Sequence, residues 1–233
     1  MRVPAAPDGP ALAALLDAHA AFESPELVPE LRVFRAYSLV DIWAAAEALA
    51  GATLPSPFWA YPWAGGIALA RVLLDGAGAA GAARDGLPDV SGARVLDFGA
   101  GGGIASLAAA KAGAARVVAS DIDPWAAATA ALAAERQSLP VDTQTLDLTR
   151  APELLDGFDC ILAGDLAYER HAAPAQRELL ERAHARGAVV LVADAGRAYF
   201  DETGLLELAA FTIEVPLDLE GVARRRARVF RIA

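Results

Sequence analysis

The segment "VLDFGAGGG" places a carboxylate, Asp97, just before glycines at every second position: Gly99, Gly101 and Gly103. An apolar run that ends in an acidic residue and continues into such glycines is typical of a strand, a tight turn and a helix start. This geometry lets a ligand approach backbone N–H groups. A dinucleotide-binding turn needs glycine at its sixth position, which is isoleucine here. The spacing therefore argues against a dinucleotide, and a purely structural turn stays an alternative.

Two more aspartates follow the next apolar runs. Asp121, in "SDIDP", stands at a predicted strand tip, where a carboxylate can accept hydrogen bonds from both ribose hydroxyls. Asp123 is better suited to cap the helix that begins at Pro124. Asp147, in "LDLT", follows the third strand, where it can accept from an adenine amino group or simply form a turn.

Three segments carry a resemblance to a known family. The acidic-x-Gly-x-Gly-x-Gly pattern resembles the turn of S-adenosylmethionine-dependent methyltransferases. The segments "PFWAYPWAGG" (57–66) and "GDLAYE" (164–169) are similar to those of seven-β-strand protein-lysine methyltransferases. The similarity is greatest to the enzymes that modify the β subunit of electron transfer flavoprotein, with their bacterial relatives, and it covers roughly residues 25–233.

The resemblance implies roles for individual residues. Asp165 and Tyr168 would border the target amine, and Trp63 would lie over the methionine end of the cofactor. Ala64 stands where the family's turn is expected to have proline. The implied cofactor contacts are Trp63, Asp97, Gly99, Ala100, Gly101, Gly103, Asp121, Ile122 and Asp147.

Methyl transfer to an amine asks little covalent chemistry of the protein. The enzyme aligns the reactants and excludes water, and a lysine ammonium must lose its proton before the nitrogen can attack. Asp165 is a candidate for orienting the amine, and the ring of Tyr168 for facing a cationic nitrogen. The alternatives are a turn cap and a half-buried aromatic. His171 is more typical of a solvated loop histidine than of a base.

Composition narrows the class of protein. The chain has 233 residues, 55% of them hydrophobic, and a formal charge of -10. This charge opposes nucleic-acid binding and fits a basic partner better. The single cysteine, Cys160, excludes an internal disulfide and a CxxC metal site, and its apolar surroundings predict a buried strand residue. We expect no metal.

The sequence gives no sign of a membrane segment. The first ten residues, "MRVPAAPDGP", lack the apolar core of a signal peptide. No apolar run reaches the roughly 18 residues that a membrane span requires. We therefore expect a cytoplasmic protein without membrane partners.

From about residue 92 strands and helices alternate, which predicts an α/β fold. We expect a Rossmann-like, seven-stranded, mostly parallel sheet with helices between the first five pairs of strands. The last two strands are joined by "DLEGVAR", which is too short for a crossover, so the last strand should be antiparallel. Its arginines, "RRRAR" (224–228), are typical of an edge strand kept soluble. The predicted strands are "ARVLDF", "ARVVAS", "DTQTL", "FDCILAG", "AVVLVAD", "FTIEVPL" and "RARVFRIA".

The residues before the core predict a small helical and strand extension. The boundaries expected are an extension with a Trp-rich cofactor-covering segment at 1–88 and a methyltransferase core at 89–233. The extension should contain a helix at 11–21, a strand at 31–36, a helix at 39–50 capped by Gly51, and a helix at 67–75, followed by a loop at 75–92.

The resemblance implies a protein-lysine methyltransferase that uses S-adenosylmethionine and acts on the β subunit of electron transfer flavoprotein. The alternatives are methylation of a ribosomal protein such as large-subunit protein eleven, methylation of a small molecule, and a non-catalytic cofactor-binding module.

Overall fold

The fold is described from a computed structural model for residues 3–78 and 86–233. The N-terminal part contains α1 (Gly9–His19), β1 (Ala20–Glu23), β2 (Val33–Ala36), α2 (Leu39–Ala50) and α3 (Ala64–Gly76). The core contains β3 (Arg94–Phe98), α4 (Ile104–Lys111), β4 (Arg116–Asp121), α5 (Pro124–Glu135), β5 (Asp142–Thr145), β6 (Cys160–Gly164), α6 (Ala173–Ala185), β7 (Val189–Asp194), β8 (Leu205–Glu214), α7 (Leu217–Glu220) and β9 (Arg224–Ile232).

The core sheet has seven strands in the order β5-β4-β3-β6-β7-β9-β8. The first five in this order are parallel, and β9 runs antiparallel to both β7 and β8. This confirms the predicted mostly parallel sheet with a reversed last strand. From β3 to β5 successive strands are added on one side of the sheet, and from β6 onward they are added on the other side. The order therefore reverses between β3 and β6, and α/β proteins bind ligands in the crevice at the carboxyl ends of the strands at such a point.

Two predicted connections are wrong. Between β5 and β6 the chain forms only short 3-10 turns, Leu148–Arg150 and Pro152–Gly157. Between β7 and β8 the segment 195–204 contains no helix, because its ten residues include Gly196 and Gly204 in left-handed conformations that interrupt helical backbone.

The prediction of an arginine-rich edge strand is also wrong, because β8 forms the edge and β9 lies inside the sheet. The arginines of β9 instead pair with glutamates. Arg224 contacts Glu214 and Arg228 contacts Glu207, both across the β8–β9 ladder. Pairing with β8 thus gives these charges partners within the sheet.

The N-terminal elements largely follow the predictions. Gly51 ends α2 in a left-handed conformation with φ 64°, as expected of a C-cap. The predicted strand at 31–36 exists as β2, but its antiparallel partner β1 was missed because the alanines of "AAFE" match the preceding helical pattern. The predicted loop at 75–92 is described only in part, since residues 79–85 lie outside the described residues. The division at residue 88 stays a prediction.

The helix that precedes the core is central to the packing. Almost every residue of α3 is buried, and the helix packs on α4 and against β6, β7 and β9. A helix that is apolar on nearly all sides, with its one buried arginine ion-paired, fits such an interior position. Its first residues thereby come to lie at the tips of β6 and β7, where the candidate site is found.

Candidate functional site

The glycine turn connects β3 to α4 at the centre of the sheet. The N–H groups of Gly99 and Ala100 both donate to the carbonyl of Ser120 in β4, at 2.9 and 3.1 Å. Gly101 adopts φ 53°, and a Cβ built on it would have no atom within 4 Å. This position therefore presents bare backbone to open space, as a ligand cradle requires.

Asp97 fixes the turn from below. Its Oδ2 accepts from the N–H of Ser106 at 3.0 Å and from the Ser106 hydroxyl at 2.5 Å. The side chain is only 2% exposed, and burial raises the pKa of Asp97 to about 6. Asp97 thus ties β3 to the first turn of α4 while it also lines the cavity above the turn.

Asp121, at the tip of β4, reaches across to the same turn. One carboxylate oxygen accepts from the N–H of Gly101 and the other from the N–H of Asp123, both at 2.9 Å. Burial raises the pKa of Asp121, and these backbone hydrogen bonds oppose the rise. The N–H of Ile122 also faces this carboxylate, which keeps lone-pair capacity to accept from a ligand hydroxyl. Ile122 beside it is exposed, at 63%.

Asp123 and Asp147 both act as caps. Asp123 caps α5 by accepting from the N–H of Trp125 at 2.9 Å, which confirms the predicted cap. Asp147 accepts from the N–H of Thr149 at 3.1 Å and from its hydroxyl at 2.5 Å. It therefore forms the turn that the sequence left as one of two alternatives, and a role toward adenine stays a prediction.

A cavity of about 50 Å³ lies between the glycine turn and the start of α3. The turn forms its floor, and its walls come from the β2 strand and the aromatic segment before α3. It is lined by Val33, Phe34, Tyr61, Pro62, Trp63, Gly66, Asp97, the turn from Gly99 to Ala105, and Gly164. The cavity thus brings the aromatic segment before α3 next to the glycine turn.

Asp165 follows β6 and is the most constrained residue of the site. Its φ is 52°, a conformation in which aspartate is one of the few tolerated side chains. Its side chain is 7% exposed and its Oδ2 accepts from the N–H of Gly65 at 2.5 Å. A Cβ on Gly65 would lie 2.6 Å from that oxygen, so only glycine permits this approach. Burial raises the pKa of Asp165, and the nearby Arg197 guanidinium opposes the rise.

Arg197 was missed by the sequence analysis. Its Nε donates to Asp165 Oδ1 at 3.0 Å, its other nitrogens contact both oxygens of Glu220, and its guanidinium lies 5.1 Å from the ring centroid of Trp63. The available signal was "DAGRAY", an aspartate, a glycine and an arginine directly after a buried strand. Parallel strands end at one edge of the sheet, so this segment had to lie near Asp165.

The aromatic residues form a continuous wall. The rings of Trp63 and Tyr168 both contact Phe58, with centroids 5.6 and 5.4 Å away. The Trp63 Nε1 donates to the carbonyl of Phe58 at 2.8 Å, which fixes the indole. Tyr168 remains 46% exposed, and the burial of its covered part raises the pKa of its hydroxyl to about 12. Tyr168 is therefore neutral near pH 7 and presents its ring at the mouth of the site.

The remaining candidates lie apart from this wall. His171 is exposed. Cys160 is buried in β6, as predicted, and burial raises the pKa of its thiol to about 12. Across the described ranges, no three His, Cys, Asp or Glu side chains are grouped to hold a metal ion. Within the same ranges, no helix is long and apolar enough to cross a membrane.

Two solved structures superimpose on part of this chain. A 16S rRNA methyltransferase of T. thermophilus, in complex with AdoMet and guanosine, superimposes with a TM-score of 0.48 at 20% identity, over 73% of this chain and 43% of that one. Magnesium protoporphyrin IX methyltransferase of Synechocystis, with bound SAM, gives 0.43 at 19% identity, over 61% and 72%. The fold assignment comes from the strand order itself.

Sequence comparison gives closer relatives. A methyltransferase-domain family matches residues 95–186. The electron transfer flavoprotein beta subunit lysine methyltransferase of Danio rerio is 38% identical over 151 residues, which span 64% of this chain and 54% of that protein. A ribosomal protein L11 methyltransferase of Pelobacter propionicus is 40% identical over 112 residues, spanning 46% and 34%.

The match to Xenopus laevis is the most extensive of those described. That electron transfer flavoprotein beta subunit lysine methyltransferase is 34% identical over 191 residues, which span 81% of this chain and 72% of the relative. For the proteins of Danio rerio and Rattus norvegicus, this chain spans only 54% and 60% of the relative's length. On the extent of the Xenopus match, the chain belongs to the family of electron transfer flavoprotein beta subunit lysine methyltransferases.

Proposed function

We propose that this protein transfers methyl groups from S-adenosylmethionine to lysine side chains of a protein, and that the protein is the β subunit of electron transfer flavoprotein. The observation that best supports the proposal is that the parts of the site lie at one edge of the sheet. The glycine turn, Asp121 and the Asp165–Tyr168 segment all lie at the carboxyl ends of neighbouring parallel strands. A cofactor held by the first two would therefore face the third.

The residues of the turn fit this cofactor. The open space above Gly101 and the uncommitted lone pairs of Asp121 suit a ribose with two hydroxyls. Trp63, in the wall of the cavity, would cover the methionine end, and Asp97 would hold the turn against it. Ile122, exposed beside Asp121, would pack on the base, and Asp147 would accept from its amino group. When bound, the cofactor supplies a methyl group on a positively charged sulfur.

Asp165 and Tyr168 would handle the amine. An ordinary lysine has a pKa near 10.4, so its ammonium must be deprotonated at the site. A carboxylate that is buried yet paired with Arg197 can accept a hydrogen bond from the incoming nitrogen and orient its lone pair. The exposed ring of Tyr168 can attract the cationic forms of the nitrogen before and after transfer.

The substrate is proposed from the relatives and from charge. The family's curated members in several vertebrates are named for the flavoprotein β subunit. A net charge of -10 favours approach of a lysine-bearing surface. A second candidate is a ribosomal protein, because the L11 methyltransferase of Pelobacter propionicus is 40% identical in the aligned part.

A competition assay tests the substrate. Equal amounts of purified flavoprotein β subunit and ribosomal protein L11 are incubated together with the enzyme and labelled S-adenosylmethionine, and the labelled residues are mapped by mass spectrometry. We expect label on lysines of the β subunit. Label confined to L11 would show that the ribosomal protein, and not the β subunit, is the substrate. Label on neither protein, together with a labelled small molecule when the enzyme is incubated with a cell extract, would reject protein methylation.

A further inference from the structure

We propose that Arg197 is a positioning residue that holds Asp165 and Trp63 as one unit, so that the carboxylate facing the amine and the indole facing the cofactor keep a fixed relation. This inference rests on the proposed function for its catalytic meaning. The contacts that support it are all made between residues of this chain.

The geometry of Arg197 supports this role. The guanidinium uses a different edge for each partner: Nε on Asp165 at 3.0 Å, and the two terminal nitrogens on Glu220 at 3.3 and 3.1 Å. Its Cζ lies over the Trp63 ring, 5.1 Å from the ring centroid. The side chain is only 16% exposed, so these contacts are little weakened by water. A planar fork of this kind fixes direction as well as charge, which a lysine ammonium cannot do.

Glu220 anchors the guanidinium from the other side. It is 3% exposed and also accepts from Arg225 Nε at 3.1 Å. Arg225 belongs to β9 and Glu220 to α7, so the unit is attached to the antiparallel end of the sheet. The backbone N–H of Arg197 donates to Asp194 Oδ1 at 2.9 Å, which fixes the start of its side chain at the tip of β7.

The charges around Asp165 make its ionisation depend on Arg197. The carboxylates near it are Asp194 from β7 and Glu220 from α7, and the cations are Arg197 and, one step further, Arg225. Burial and the charge of Asp194 raise the pKa of Asp165, whereas Arg197 lowers it. Without the guanidinium, Asp165 would take up a proton at higher pH and lose its capacity to accept from the amine.

The direct test is an NMR titration of the Asp165 carboxyl carbon in the whole chain, with Asp165→Asn used to assign the signal. In Arg197→Gln we expect the pKa of Asp165 to rise by about one pH unit or more. The matched control is Arg71→Gln. Arg71 lies further along α3, is similarly buried at 11% side-chain exposure, and has its ion pairs with Glu30 and Asp75. An unchanged Asp165 titration in Arg197→Gln, or an equal change in Arg71→Gln, would overturn the proposal.

Arg197→Lys keeps the positive charge but removes the planar set of donors, and it can be tested even if Arg197→Gln does not fold. We expect Asp165 to titrate as in the wild type, while kcat falls at least about 10-fold, because a lysine ammonium cannot contact Asp165, Glu220 and the Trp63 ring in fixed directions at once. A lysine variant with full kcat would contradict the positioning role.

Coupling to Asp165 is tested by combining variants. In the Asp165→Asn background, Arg197→Gln should reduce kcat by a smaller factor than in the wild-type background, because the part of its effect that acts through the Asp165 carboxylate is already lost. Independent, multiplying losses would count against the proposal. The titration needs no substrate, so a wild-type enzyme that methylates no lysine would reject the proposed function while the titration still decides the role of Arg197.

Discussion

Asp97, Asp121 and Asp165 stand near the tips of β3, β4 and β6, and each compensates burial in a different way. Asp97 uses the N–H and hydroxyl of Ser106, and Asp121 uses two backbone N–H groups. Asp165 alone among them has an arginine partner. The carboxylate best supplied with counter-charge is thus the one proposed to face a lysine, whereas the other two shape the cofactor turn.

Replacing Asp121 with alanine should weaken cofactor binding. The change removes the proposed acceptor of two ribose hydroxyls, and hydrogen bonds to a charged acceptor contribute about 1.5–3 kcal/mol each. Calorimetry with S-adenosylmethionine should therefore show at least about a 10-fold higher Kd. NAD should bind neither the wild type nor the variant. Unchanged affinity in Asp121→Ala would remove this residue from the site.

Asp97 should make stability depend on pH. Its pKa is raised from 3.8 to about 6 in the folded protein, so the native state holds this proton more tightly than the unfolded chain. The stabilisation is complete below the unfolded value and is lost as pH rises through about 6. An asparagine side chain at this position cannot titrate. Asp97→Asn should therefore gain up to about 3 kcal/mol of unfolding free energy relative to wild type between about pH 4 and 7.

Urea unfolding of both proteins across this range measures the difference. Titrating groups that do not interact with Asp97 contribute equally to the two proteins and cancel in the comparison, whereas Asp121, whose charge raises the pKa of Asp97, is part of the measured difference. A difference in unfolding free energy that stays constant with pH would contradict the prediction.

At the scale of elements, the start of α3 joins the two halves of the site. Trp63 precedes the helix and Gly65 lies in its first turn, so the indole and the N–H that binds Asp165 are set by one element. Ala64 occupies the first helical position, where proline is also well accommodated. The departure from the expected proline therefore leaves the local geometry intact.

Gly65→Ala should damage activity more than folding. The added Cβ would lie 2.6 Å from Asp165 Oδ2, so the carboxylate or the helix must move. We expect methylation to fall at least about 10-fold and the free energy of unfolding to fall by about 1–3 kcal/mol. Gly9→Ala in α1, where a Cβ would meet nothing within 4 Å, is the control and should leave methylation unchanged and raise the free energy of unfolding by at most about 1 kcal/mol. Full activity in Gly65→Ala would show that the close approach is dispensable.

The elements also show how far sequence reasoning reaches. Connection length predicted the reversed β9, because a short link cannot cross over a sheet. Local patterns could not show that β9 inserts between β7 and β8, since strand order depends on contacts distant in sequence. The glycine turn and Asp121 were recognisable from local spacing. Arg197 was not, because its partners Asp165 and Glu220 come from other parts of the chain.

At the scale of the whole molecule, charge should govern the encounter with substrate. The formal charge of -10 attracts a lysine-bearing surface over a distance that salt shortens. We expect KM for the protein substrate to rise several-fold between about 0.02 and 0.3 M salt, where the Debye length falls from roughly 20 to 6 Å. Cofactor Kd, measured by calorimetry in the same buffers, is the control. A KM independent of salt would contradict electrostatic attraction.

In the proposed reaction, one edge of the sheet brings a cofactor methyl group to a lysine of the flavoprotein β subunit. Intact-mass spectrometry of that purified subunit, incubated with S-adenosylmethionine and the enzyme, measures this transfer itself. The wild type should add whole methyl groups that map to lysines, while Asp165→Ala should slow the reaction about 100-fold or more and bind the cofactor nearly as well. An unmodified subunit after prolonged incubation with cofactor-bound wild-type enzyme would contradict the account.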